Sequence, residues 1–68
     1  MKITYDKEAN AAYIYIKYPI KKGEAKKTVP TEAGPILDFD KNGKLLGIEI
    51  LEANKVLDKE ILRKAEQL

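Results

Sequence analysis

Residues 11–18 (AAYIYIKY) constrain the fold of this chain more than any other segment. The run is rich in β-branched and aromatic residues and has no internal glycine or proline, which favours a β-strand over a helix. Side chains alternate along a strand, so one face carries Ala12, Ile14, Ile16 and Tyr18, and the other carries Ala11, Tyr13, Tyr15 and Lys17. Apolar side chains therefore point to both sides of the predicted sheet.

Four further segments have strand patterns: residues 2–6, 25–30, 36–40 and 44–51. Because Pro30 has no N–H for a ladder, the 25–30 strand must lie at an edge or end there. After them, Asn54 is a candidate N-cap, and an apolar stripe at helical spacing follows it, formed by Leu57, Ile61, Ala65 and Leu68. The sequence predicts an α+β fold, a small antiparallel β-meander of four to five strands (about 2–51) with one C-terminal helix (about 55–67) packed on the sheet.

The turn at Asn42-Gly43 predicts the register of the last hairpin. A two-residue type I′ turn pairs Lys41 with Lys44, Phe39 with Leu46 and Leu37 with Ile48. One face then carries Leu37, Phe39, Leu46, Ile48 and Ile50, and the other carries Asp38, Asp40, Leu45, Gly47 and Glu49. A three-residue loop with a glycine bulge would set Asp38 opposite Leu46 and mix the faces, so we favour the first register. Gly47 inside a strand indicates a bulge or a close contact.

The size of the chain indicates how it must be stabilised. We expect residues 1–68 to form a single domain, and one core of this size supplies only about 3–5 kcal/mol. The sequence has no cysteine and no histidine, which excludes disulfides and thiolate or imidazole metal sites. Self-association is the remaining common means of support, and we expect a homodimer. We expect no signal peptide and no membrane segment, hence a cytoplasmic protein.

One motif matches a calcium-binding loop: Asp38-x-Asp40-x-Asn42-Gly43, followed by Glu49. Oxygen ligands at these positions could wrap a hard cation. However, an EF-hand needs a helix before the loop, and residues 29–37 contain two prolines and a glycine. We therefore interpret the motif as a β-hairpin turn rich in acidic and amide residues, and we expect no metal and no cofactor.

Catalytic residues are not evident. Serine, cysteine and histidine are all absent, so no nucleophilic triad can form. The carboxylates Asp38, Asp40 and Glu49 share a predicted sheet face and could serve acid–base chemistry, but a polar face is ordinary in antiparallel sheets. We expect a non-enzymatic protein, and a small enzyme is the third-ranked hypothesis.

A basic and aromatic segment offers an alternative function. Tyr13, Tyr15 and Lys17 share a face, and further lysines follow, including Lys26 and Lys27. Aromatic side chains beside a basic groove can stack on bases and bind phosphates. In the competing interpretation, the C-terminal helix or a second subunit covers the tyrosines, and the lysines protect sheet edges. The net charge of +2 is low for a nucleic-acid-binding domain.

The helix stripe supports the leading hypothesis, a protein-interaction module. Leu57, Ile61 and Leu68 could form core or bind a partner. One short helix can cover only one of two apolar sheet faces, and monomers rarely leave large apolar patches exposed. We expect the possible interaction surface to include Tyr13, Tyr15, Lys17, Lys26, Lys27, Leu57, Ile61 and Leu68.

Four stretches carry a resemblance to a known family: residues 1–10 (MKITYDKEAN), 12–14 (AYI), 34–40 (GPILDFD) and 43–53 (GKLLGIEILEA). Their order and spacing resemble the small prokaryotic proteins grouped as domain of unknown function 2283, over roughly residues 1–57. The resemblance implies no catalytic residues. It does imply a possible role as the partner of a cognate protein in an antitoxin-like pair, because some relatives are suspected of that. The helix after Leu57 and the lysine-rich Tyr18–Lys27 loop depart from the family pattern.

Overall fold

A computed structural model describes all residues from Met1 to Leu68. Six strands form one sheet: β1 (Lys2–Asp6), β2 (Ala11–Tyr15), β3 (Lys27–Pro30), β4 (Ile36–Phe39), β5 (Leu45–Leu51) and β6 (Glu66–Gln67). Two short helices, α1 (Ala53–Val56) and α2 (Lys59–Lys64), lie between β5 and β6. The α+β class is confirmed, with more strands than predicted and two helices in place of one.

The strand order is β3-β4-β5-β2-β1-β6, so the predicted simple meander is wrong. The β1–β2 hairpin lies between β5 and β6, and the central pair joins Ala11 to Leu51 and Tyr15 to Gly47. All pairs are antiparallel except β1 with β6. The edge position predicted for the strand that ends at Pro30 is confirmed, because β3 is the outermost strand on one side.

The β4–β5 hairpin uses the loop that the sequence argument rejected. Asp40 donates its N–H to the Lys44 carbonyl (2.9 Å), and Gly43 has a φ of +80°, so the loop is Lys41-Asn42-Gly43. Phe39 pairs with Leu45, not with Leu46 as predicted. A bulge then shifts the register so that Asp38 pairs with Gly47, and the predicted pairing of Leu37 with Ile48 is confirmed.

The predicted helix over 55–67 is wrong, because the helical backbone is interrupted at Leu57 and Asp58. Leu57 is extended, and the Asp58 carboxylate caps α2 by accepting the N–H of Glu60 at 2.8 Å. Residues 66–67 pair beside β1, and Leu68 donates its N–H to the Tyr5 carbonyl. Neither helix is long or apolar enough to cross a membrane.

The core lies on one side of the sheet only. Ala12 and Ile50 are paired across β2 and β5, and they pack with Ala53 and Leu62 from the two helices. Four partly buried apolar side chains surround this cluster: Tyr5, Ile14, Ile48 and Leu57. Only eight of 68 residues are buried. The helices therefore cover the face of Ala12, and the face of Tyr13 lies opposite.

The first turn is tied to α1 by two asparagines. Asn10 adopts a positive φ of 54°, and its side chain donates to the Asn54 side chain at 2.7 Å and accepts the Asn54 N–H at 3.1 Å. Asn54 lies inside α1 and does not cap it, so the predicted N-cap is wrong; Glu52 precedes α1 without a side-chain cap. These bonds hold α1 against the sheet.

Candidate functional site

The uncovered side of the sheet carries five residues that the register places next to one another. Across the strands, Tyr15 is opposite Gly47 and Gly47 is opposite Asp38, while Tyr13 is opposite Glu49 one pleat further on. We call this set, Tyr13, Tyr15, Asp38, Gly47 and Glu49, the tyrosine face. The interpretation in which the C-terminal helix covers the tyrosines is wrong, because both helices pack on the other side.

The Tyr13 ring lies directly over Gly47. A Cβ at position 47 would stand 2.5 Å from Cε2 and 2.6 Å from Cζ of Tyr13, so only glycine leaves room for the ring. Of the two alternatives predicted for Gly47, the close contact is confirmed, and a bulge lies beside it, between Leu45 and Gly47. The ring crosses the glycine and reaches the next strand, where the Tyr13 hydroxyl donates to Asp38 Oδ2 at 2.7 Å.

Asp38 accepts two hydroxyl hydrogen bonds on this face. Thr28 from the edge strand donates to its second oxygen at 2.7 Å. Burial, followed by the hydrogen bond to Asp38, raises the pKa of Tyr13 above its ordinary value. Tyr13 therefore stays protonated at neutral pH and donates this hydrogen bond to Asp38.

Three tyrosines form a row along this side of the molecule. The Tyr13 and Tyr15 ring centroids are 4.7 Å apart, those of Tyr15 and Tyr18 are 5.0 Å apart, and both pairs meet edge to face. The Lys2 ammonium lies 4.6 Å from the Tyr18 ring centroid and is also paired with Glu66. The hydrogen bond with Glu66 raises the pKa of Lys2.

The position of Tyr18 differs from the alternation predicted for residues 11–18. Strand β2 ends at Tyr15, and the N–H groups of Ile16 and Lys17 both donate to the Leu46 carbonyl. This irregularity breaks the two-residue period after Tyr15. Tyr18 consequently joins Tyr15, whereas the sequence placed it with Ile14.

The lysines predicted to accompany the tyrosines lie elsewhere. Lys17 is ion-paired with Glu24, and that contact lowers the pKa of Glu24. Lys26 lines a polar cavity of about 260 Å³, together with Gly23, Glu24, Asp40, Lys41 and Asn42. Lys27 is exposed on edge strand β3, opposite Phe39. The charged members of the tyrosine face are the carboxylates Asp38 and Glu49, and Lys2, which lies opposite Tyr15 on β1, is the lysine that borders this face.

The four residues of the calcium-loop motif do not converge on one point. Asp38 is engaged by Tyr13 and Thr28, and Glu49 lies beside Tyr13. Asp40 accepts the N–H groups of Lys44 (2.9 Å) and Asn42 (2.8 Å) within its own turn, and these bonds lower its pKa. No group of three acidic side chains is close enough to hold a metal ion.

The predicted helix stripe is divided between core and surface. Leu57 packs against the core cluster, Ile61 is 39% exposed, and Leu68 is 73% exposed. Ile61 lines an apolar groove of about 250 Å³ between α2 and the start of β1, together with Met1, Ile3, Lys64 and Ala65. The groove is the second surface feature that could bind another molecule.

A family model described as a protein of unknown function (DUF2283) matches residues 2–54. The chain belongs to this family. The match includes every residue of the tyrosine face, whereas α2 and β6 of this DUF2283 protein lie beyond it. No curated protein and no solved structure matches the chain.

Sequence reasoning found the members of the tyrosine face but not their arrangement. Tyr13, Tyr15 and Asp38 were each assigned a sheet side correctly by parity, yet β2 was not recognised as the neighbour of β5. Gly47 carried the available signal, because a glycine in a strand interior often accommodates a bulky neighbour. Lys2 and Thr28 were missed, since nothing local distinguishes them from ordinary surface residues.

Proposed function

We propose that this DUF2283 protein is a cytoplasmic, non-enzymatic protein-interaction module that forms a homodimer and binds a cognate partner protein, as in an antitoxin-like pair. The observation that carries the proposal is the large surface of the single chain. Its accessible area is 5077 Å², whereas a folded monomer of 7.7 kDa exposes about 4300 Å² on average.

The excess of about 800 Å² matches the roughly 800 Å² that each partner buries in a standard interface. The core of the single chain is also thin. No large side chain is fully buried, and Ile61 and Met1 remain exposed at the groove on the helix side. A second copy that covered this side would complete a core that one chain leaves open.

The apolar groove is the surface that favours the homodimer. It combines Ile3 from β1 with Ile61 and Ala65 from the helical region, and Met1 at its rim is 88% exposed. A two-fold contact brings the same patch of each copy together. An apolar patch suits such a contact because it buries no like charges against each other, apart from Lys64, whose long side chain can extend to solvent.

Sedimentation velocity over a range of protein concentrations tests the homodimer. We expect a dimer at micromolar concentration, and we expect Ile61→Lys to weaken it by tenfold or more because a charge would be buried at the contact. Leu51→Lys is the matched control, since Leu51 is also exposed but lies at the end of β5, on the Tyr13 side of the sheet. A wild-type protein that sediments as a monomer at all concentrations would contradict the homodimer.

The cognate partner is tested by affinity capture from a lysate of the source, with elution by a salt step and identification by mass spectrometry. Nucleic-acid binding remains the alternative function, and the row of three tyrosines favours it. It predicts salt-sensitive oligonucleotide binding that weakens when Lys26 and Lys27 are changed to glutamate.

A further inference from the structure

We infer that the tyrosine face is the docking surface for a cationic segment of the partner protein, and that an arginine or lysine of that segment lies against the Tyr15 ring, near Asp38 and Glu49. The inference rests on the proposed function, because it assigns a surface and a chemistry to the cognate partner. It is separate from the homodimer, which we assign to the apolar groove on the other side of the sheet.

The tyrosine face contains two carboxylates that have no cationic partner within the chain. The ion pairs of the molecule are Lys2–Glu66, Lys17–Glu24, Lys55–Glu52 and Arg63–Glu60. Asp38 and Glu49 belong to none of them, although both are half-buried on the same face. Their only hydrogen-bonded partners are the neutral hydroxyls that Asp38 accepts. A half-buried carboxylate that has no ion pair within its own chain is stabilised most when a binding partner supplies the cation.

The spacing of the two carboxylates suits a single guanidinium. Asp38 is opposite Gly47, and Glu49 is two residues further along β5, so the two are diagonal neighbours across adjacent strands. Diagonal neighbours in an antiparallel pair are about 7–8 Å apart, and their Cβ atoms are somewhat closer. A planar guanidinium between them could donate to both carboxylates through separate N–H groups.

The row of tyrosine rings is a second feature of this face that attracts cations. Tyrosine rings attract cations within about 6 Å of the ring centroid. The molecule already makes one such contact, between Lys2 and Tyr18 at the end of the row. Tyr15 is the next ring, 5.0 Å from Tyr18. Lys2 is its cross-strand neighbour, but the Lys2 ammonium lies over Tyr18 and is paired with Glu66, which leaves the Tyr15 ring without a cation over it. A partner cation at Tyr15 would therefore extend an arrangement that the chain itself uses.

Two other occupants fit this face less well. In a two-fold homodimer the same patch faces itself, so the carboxylates Asp38 and Glu49 of both copies would be brought into one interface. A nucleic acid would bring phosphates towards those carboxylates, and like charges repel. Charge complementarity thus favours a basic protein segment.

The test uses the full chain, labelled with ¹⁵N, and a synthetic peptide of alternating arginine and glycine as the probe. We expect the peptide to shift the amide resonances of Tyr15, Gly47 and Glu49. Glu49→Gln should weaken binding about three- to tenfold, because one charge-assisted hydrogen bond is lost at a half-exposed site. Glu32→Gln is the matched control, since Glu32 is an exposed carboxylate in the β3–β4 turn and its loss should leave affinity unchanged.

A second variant separates docking from folding. Tyr15→Leu keeps an apolar residue on the strand but removes the ring, and we expect a several-fold weaker binding with a preserved amide spectrum. Equal affinities for Glu49→Gln and Glu32→Gln, or shifts confined to other surfaces, would overturn the inference. Stronger shifts of the same face with oligothymidylate than with the peptide would assign the face to nucleic acid instead. A monomeric protein that still binds the peptide here would remove the homodimer and leave this inference intact.

Discussion

Replacing Gly47 by alanine tests the contact on which the tyrosine face is built. The added methyl group would stand 2.5 Å from Cε2 of Tyr13, so the ring must move. Its hydroxyl would then lose the 2.7 Å hydrogen bond to Asp38. The backbone of Gly47 does not need a positive φ, so strain of the main chain contributes nothing to the expected effect.

Three contributions, two destabilising and one stabilising, set the change in the free energy of unfolding. Overpacking costs about 1–3 kcal/mol, and losing a hydrogen bond to a charged acceptor costs about 1.5–3 kcal/mol when it is buried, and less here because the site is half exposed. Alanine in place of glycine in a strand returns about 0.5–1 kcal/mol. We expect a net loss of about 1.5–3 kcal/mol in the free energy of unfolding, which is a large part of the ~3–5 kcal/mol available to a core of this size.

Urea unfolding followed by far-ultraviolet circular dichroism measures this loss, at one fixed protein concentration because dimerisation would make stability depend on it. A double-mutant cycle with Tyr13→Thr isolates the contact. Once the ring is absent, Gly47→Ala should be neutral or stabilising by up to about 1 kcal/mol. The same cost in both backgrounds would refute the steric role assigned to Tyr13.

Three further predictions concern titration and the core. The raised pKa of Tyr13 means that only the unfolded chain ionises this residue at about pH 10, so stability should fall as pH rises above that value. Tyr13→Phe should reduce this fall, as measured by urea unfolding at a series of pH values. The lowered pKa of Asp40 means that its carboxylate stabilises the fold above about pH 4 and ceases to do so as pH falls further, so Asp40→Asn should flatten the acid limb of a stability–pH curve. Leu62→Ala should cost about 2–4 kcal/mol in urea unfolding because Leu62 is 8% exposed, whereas Val56→Ala, at 46% exposed, should cost under about 0.5 kcal/mol.

The sequence predicted the positions of the strands better than it predicted which strands pair in the sheet. Residues 2–6 were assigned as a strand with the bounds that β1 has, because alternation and a following turn are local signals. The pairing of β2 with β5 was not predicted, since it joins residues 32 to 40 positions apart, from Tyr15 with Gly47 to Ala11 with Leu51, and no local pattern indicates it. This pairing is what brings Tyr13 over Gly47 and within reach of Asp38.

Irregular backbone explains the remaining errors. Parity arguments assume an uninterrupted two-residue period, but the bulge beside Gly47 and the break after Tyr15 each shift it. The helix prediction assumed that period 3.6 continues through Asp58, yet that residue's carboxylate competes for backbone N–H groups and starts a new helix. In both cases the side chains were identified correctly as apolar or polar, and the local backbone decided where they point.

The place of the β1–β2 hairpin between β5 and β6 has a consequence for synthesis of the chain. Both outer neighbours of this hairpin come later in the sequence than the hairpin itself. At translation rates of about 5–20 residues per second, the hairpin waits on the order of seconds before residues 45–51 emerge from the ribosome. During that interval its two hydrogen-bonding edges are open to any other nascent strand, including the same hairpin of a neighbouring chain on one polysome.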